Sequence, residues 1–110
     1  MSFNRIEVPI ERIQEFCDRW QIIEFALFGS VLRDDFRPDS DIDVLISFAP
    51  EAHPTLFTLV DIQTELERLF NRSVDVVTRD GIEQSRNPFR RQNILSSAVT
   101  IYDARSTVSL

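Results

Sequence analysis

At 110 residues and 43% hydrophobic, the chain has enough apolar material for one core, and it predicts a single domain over 1–110 with no room for a second, acceptor-binding unit. Twelve basic residues against 18 acidic leave a net charge of −6, which argues against a free nucleic-acid ligand and leaves room for a basic partner. Cys17 is alone, so no disulfide forms within the chain, and no apolar run has the length of a signal peptide or a membrane span, which predicts a cytoplasmic protein.

In chain order, Pro9 opens a predicted helix to about Arg19, with Ile10, Ile13, Phe16, Cys17 and Trp20 spaced to make one apolar face. Cys17 on that face reads as a buried structural thiol. Ile22 to Phe28 is an apolar run rich in β-formers, broken by Glu24 and ended by Gly29, which reads as a buried strand feeding a tight turn. Ser30 would open a short helix, and Arg37-Pro38-Asp39-Ser40 is turn chemistry. Asp41 to Phe48 then alternates acidic with apolar and continues as a strand through Val44, Leu45 and Ile46.

After a loop over Pro50 to Pro54, Thr55 to Phe70 reads as a longer helix with Leu56, Leu59, Val60, Leu66, Leu69 and Phe70 facing inward. His53 in the loop lacks a second histidine or a cysteine nearby and reads as surface. Ser73 to Thr78 is a short β-branched strand whose one charge is Asp75. Arg79-Asp80-Gly81 marks a turn, Ile82 to Arg86 one short helical turn, and Pro88 to Ser97 a last helix carrying Arg90 and Arg91, with Arg86 nearby. That basic cluster suits phosphate binding, partner docking or a solvated face. Val99 to Tyr102 reads as an edge strand in which Tyr102 packs, and 104–110 as a frayed tail.

The chemistry concentrates between Gly29 and Asp75. A glycine in a strand-to-helix turn lets backbone N–H groups approach an anion, and the helix N-terminus adds partial positive charge there. Asp41 and Asp43, two residues apart on a strand, project from one face. Adjacent carboxylates repel unless a cation or proton intervenes, and hard oxygen donors that can share a phosphate suit Mg²⁺. Phosphoryl chemistry of this kind calls for a third carboxylate, to hold a second ion or take the acceptor's proton, and Asp75 fits if its strand lies alongside. Arg33, one helical turn after Ser30, reaches either a phosphate or the neighbouring Asp34 and Asp35.

Gly29-Ser30, ten residues, then Asp41-Ile42-Asp43, with Arg33 between and Asp75 downstream, resembles the signature of the polymerase β-like nucleotidyltransferase superfamily, most closely its minimal branch, the MNT proteins. Where many members carry a small residue and a glycine around the arginine, this chain has Leu32 and Asp34. The resemblance implies an α/β fold, a small mixed sheet flanked by helices, with its catalytic core at about 22–78. It further implies ATP as substrate, Mg²⁺ (two ions) on Asp41, Asp43 and Asp75, and nucleotide contacts at Gly29, Ser30, Arg33 and Ser40. The implied activity is transfer of AMP to a hydroxyl. Small MNT proteins often act as antitoxins to a HEPN-domain ribonuclease toxin, some by adenylylating its tyrosine. Two alternatives remain open: an antitoxin that works by occlusion without catalysis, and a small-molecule transferase whose acceptor pocket forms across a homodimer.

Overall fold

A computed structural model describes residues 2–3, 6–7, 9–29 and 41–104. Two short strands, β1 (Ser2–Phe3) and β2 (Ile6–Glu7), pair antiparallel at the N-terminus, a feature the sequence pattern did not suggest. There follow α1 (Ile10–Trp20), β3 (Ile22–Phe28), β4 (Ile42–Phe48), α2 (Leu56–Phe70) and β5 (Val74–Thr78). The short α3 (Arg79–Glu83), then α4 (Pro88–Ser97) and β6 (Val99–Asp103) complete the order.

The main sheet has the order β5-β4-β3-β6. β3 runs antiparallel to both β4 and β6, whereas β4 and β5 are parallel and joined through α2. A parallel neighbour requires a crossover, and the helical stretch from Thr55 to Phe70 supplies it. The result is a mixed four-stranded sheet flanked by helices.

Strand alternation assigns each side chain to one of two layers. Phe25 and Leu27 of β3, Ile42, Val44 and Ile46 of β4, and Val74 of β5 turn toward α1 and α2, where Ile13, Phe16, Cys17, Ile62 and Leu66 close the larger core. Phe16 and Phe25 meet edge to face with ring centroids 6.3 Å apart. The intervening residues Ala26, Phe28 and Leu45 face the other way, against Ile82 of α3 and Ile94 of α4. Every residue that builds the site described below belongs to this second layer or to the helices above it.

Several predicted details need correction. On α2 the inward row is Leu59, Ile62, Leu66, Leu69 and Phe70, while Leu56 (75% exposed) and Val60 (54%) point outward beside Phe57 (81%). The helix turns about 100° per residue, so Val60 sits about 160° and Leu56 about 120° around the axis from the buried Ile62. The Arg79-Asp80-Gly81 turn is instead the first turn of α3. Thr78 caps it, its hydroxyl accepting from the Gly81 N–H at 3.0 Å. Thr55 caps α2 and Asn87 caps α4, with Pro88 at the first helical position. The helix over 10–20, the strand over 22–28, the helix over 88–97 and the edge position of β6 are as the sequence predicts. Ser30, Arg33, Ser40, the turn at 37–40 and the tail from 105 onward lie outside the described residues. Among the described residues no helix is long and apolar enough to cross a membrane.

Candidate active site at the head of the mixed sheet

Parallel pairing of β4 with β5 sets Asp43 directly beside Asp75 in register. Neighbouring strands are about 4.8 Å apart, so the two residues stand one strand spacing from each other with side chains on the face away from α1 and α2. The strand starts are tied together by the Ile42 N–H, which donates to the Ser73 carbonyl at 2.9 Å. On the other side of β4, Phe28 lies opposite Asp43 in the antiparallel ladder, and the chain leaves β3 at Gly29.

Gly29 has φ +76°, in the left-handed region, and a β-carbon built there would stand 2.1 Å from Asp43 Oδ2. No side chain fits between this backbone and that carboxylate. Glycine at position 29 meets two independent physical needs, backbone conformation and close approach to an acid.

These groups form the floor of an open cavity of about 760 Å³, a size that suits a small-molecule ligand. Phe28, Gly29, Asp43 and Asp75 line it from the sheet side. The opposite wall is α4 with its cap: Asn87, Phe89, Arg90, Asn93, Ile94, Ser96 and Ser97. Asn87 accepts from the Phe89 and Arg90 N–H groups at 3.1 and 3.2 Å, which fixes where α4 begins and so which of its residues look inward. Arg90, Asn93 and Ser97 follow at intervals of three and four, one helical face.

Of the proposed site residues, Gly29, Asp43 and Asp75 are brought together. Asp41 is exposed, immediately before β4 on the same face as Asp43, and is not part of the cavity lining. Arg90 of the basic cluster enters the cavity, whereas the Arg91 guanidinium donates to the Glu83 carbonyl at 3.3 Å. The wall residues Phe89, Asn93, Ser96 and Ser97 were not singled out from sequence. The signal was available in the polar spacing 90, 93, 97, once Asn87-Pro88 is read as the helix start.

The far end of the same sheet face is closed by an ion pair. Glu24 is 5% exposed and accepts from Arg79 Nε at 2.7 Å, Arg79 Nη2 at 2.9 Å and Ser47 Oγ at 3.0 Å. Hydrogen bonding to Glu24 holds the Arg79 guanidinium above its usual range. This bidentate contact joins the first residue of α3 to the sheet interior and leaves the opposite end of the layer open at Asp43 and Asp75.

The fit of a cation can be judged from this donor set. Among the described residues no three of histidine, cysteine, aspartate and glutamate stand close enough to hold a metal by themselves. Mg²⁺ does not require such a cage: it is commonly held by one or two carboxylates, with substrate phosphates and water filling the other positions. Asp43 and Asp75, on adjacent strands under a ligand-sized cavity and next to Gly29, suit that mode.

A glycine packed against one acid, with a second acid in register beside it at the mouth of a mixed sheet, is the geometry of a nucleotide-handling α/β domain, and the comparisons with known proteins agree on that class. The sequence profile of the nucleotidyltransferase domain matches residues 10–101, and the chain belongs to that family. The protein adenylyltransferase MntA of Thermococcus cleftensis is 31% identical over 70 residues, or 64% of this chain and 69% of that one. A solved structure of a candidate minimal nucleotidyltransferase is 31% identical and matches with a TM-score of 0.63 over 82% of this chain and 86% of the other. A chain from the complex of tri-AMPylated Shewanella oneidensis HEPN toxin with MNT antitoxin is 14% identical, with a TM-score of 0.59 over 89% and 72%, a likeness of fold.

Proposed function

We propose that this chain is a Mg²⁺-dependent adenylyltransferase that moves AMP from ATP to a hydroxyl, a tyrosine, on a partner HEPN-type toxin, and acts in the cytoplasm as that toxin's antitoxin. The observation that carries the reading is the registered pair Asp43 and Asp75 beneath the cavity, with Gly29 packed against Asp43. The names of the adenylyltransferase relative and of the AMPylated toxin complex support the nucleotide and the acceptor class.

Backbone N–H groups of the turn at Gly29, with Ser30 and Arg33 after it, hold the β- and γ-phosphates. Asp43 and Asp75, with Asp41 on the same face at the strand mouth, would hold the divalent cations. A Mg²⁺ ion held by these carboxylates would supply charge neutralisation at the phosphates and would lower the cost of deprotonating the acceptor. The acceptor oxygen attacks the α-phosphorus in line, a new P–O bond forms as the bond to the bridging oxygen breaks, and pyrophosphate leaves. Asp75, exposed on the outer strand of the sheet, is the group we assign to accept the proton from the incoming hydroxyl.

The experiment is incubation of the purified chain with ATP and Mg²⁺, with and without its cognate toxin, followed by mass spectrometry of both proteins. One or more AMP units on the toxin alone is the expected result. A silenced toxin in a stable complex, with no mass added to either chain, would overturn catalysis in favour of occlusion.

A further inference from the structure

The carboxylates and the glycine turn account for the phosphate end of a nucleotide and leave the helical wall of the cavity unexplained. We propose that α4 selects the base, with Asn93 reading the adenine edge and Phe89 stacking on its face; this rests on the nucleotide-binding reading above.

Four observations carry it. The cavity of about 760 Å³ extends from Asp43 and Asp75 to α4, so a ligand whose phosphates sit at the sheet meets the helix with its other end. Two amides line that wall, but the Asn87 side-chain oxygen is committed to capping α4, and among the described residues the Asn93 side chain makes no hydrogen bond. Asn93 therefore presents a donor and an acceptor together. Phe89, four residues earlier on the same helical face, is 81% exposed at the cavity wall. Phe57 is equally exposed yet lines no part of the cavity, so exposure alone does not single out Phe89.

The chemistry favours adenine. A side-chain amide pairs with the adenine 6-amino group and N7 through one acceptor and one donor, whereas guanine offers acceptors at both O6 and N7. With guanine the Asn93 oxygen faces another acceptor and loses its partner, and an unpaired polar group in a binding site is the kind of mismatch that discriminates well. An aromatic ring, by contrast, stacks on any base and adds affinity without choosing. Arg90, between the two in sequence, also lines the cavity and has no side-chain partner among the described residues.

The test is calorimetric titration of the full chain, in Mg²⁺, with α,β-methylene analogues of ATP and GTP and with inorganic tripolyphosphate. Wild type should favour the ATP analogue by about tenfold or more. Asn93→Ala should bring the two analogues to within about twofold of each other. Phe89→Ala should weaken both by about tenfold and keep their ratio. Tripolyphosphate affinity, which reads the phosphate end alone, should be the same in all three proteins. An adenine preference that survives Asn93→Ala, or none in wild type, overturns the Asn93 assignment, and undiminished analogue affinity in Phe89→Ala overturns the stacking. In either case normal tripolyphosphate binding leaves the nucleotide reading standing. Failure of tripolyphosphate to bind wild type removes both.

Discussion

Replacing Arg79 by methionine strips a buried carboxylate of its main partner. Glu24 is 5% exposed, and without the two guanidinium bonds it would retain Ser47 Oγ among the contacts described above. Breaking one side of a buried pair typically costs about 3–5 kcal/mol. The Arg79 side chain is 29% exposed, so water partly replaces it and the lower end, about 3 kcal/mol, applies. For a domain of this size that corresponds to about 12 °C in Tm. The double variant Glu24→Met, Arg79→Met removes both charges at similar volume and should return to within about 1 kcal/mol of wild type. Urea denaturation followed by circular dichroism reads all three proteins. A single variant that loses less than about 1 kcal/mol, or a double variant no more stable than it, would refute the claim that this pair closes the far end of the layer.

Other expectations follow from the same geometry. Gly29→Ala forces a β-carbon to within 2.1 Å of Asp43 Oδ2 at φ +76°. It should cost about 1–2 kcal/mol in denaturation, and it should lower the affinity for Mg²⁺-nucleotide by about tenfold or more in calorimetry. Burial pushes the Cys17 thiol up to about 12, with Asp18 adding to the effect, so a disulfide reagent should leave the native protein unlabelled and react only on unfolding. The Arg19 guanidinium, bonded to Glu65 at 2.8 and 2.7 Å, holds that carboxyl below its usual range, with a further bond from Trp20 Nε1. A depressed carboxyl contributes stability above its ordinary range and loses it as pH falls through the folded-state value, so Arg19→Leu should differ from wild type at neutral pH and converge with it in acid melts.

Much of this architecture was legible because local and tertiary signals agree. Ile22 to Phe28 is apolar and ends at a glycine, and Pro88 to Ser97 has an asparagine cap followed by proline, so both elements begin and end where the sequence places them. Asp75 could be named from its isolation in a β-branched run, and the parallel pairing that sets it against Asp43 is a tertiary fact consistent with that choice. Leu56 and Val60 misled because apolar identity was counted without tracking angle around the helix. The misplaced turn at Arg79 has a different origin: Gly81 looks like a turn residue, yet a β-carbon there would lie 2.9 Å from Thr78 Oγ1, so glycine is what lets the threonine cap close. Glu24 interrupted an apolar run for a reason that only appears when Arg79, 55 residues away, folds over it. The α4 wall was hidden for a similar reason, since its polar face means nothing until the sheet places two carboxylates opposite.

If Asp43 and Asp75 together hold a divalent cation against a nucleotide's phosphates, removing one carboxylate must weaken Mg²⁺-dependent binding. Calorimetry with a non-hydrolysable ATP analogue, with and without Mg²⁺, on wild type and Asp75→Asn tests it most directly. Binding in wild type should depend on Mg²⁺ and fall by about tenfold or more in the variant, with the melting curve unchanged. Equal affinity in the two proteins, or binding indifferent to Mg²⁺, would contradict it.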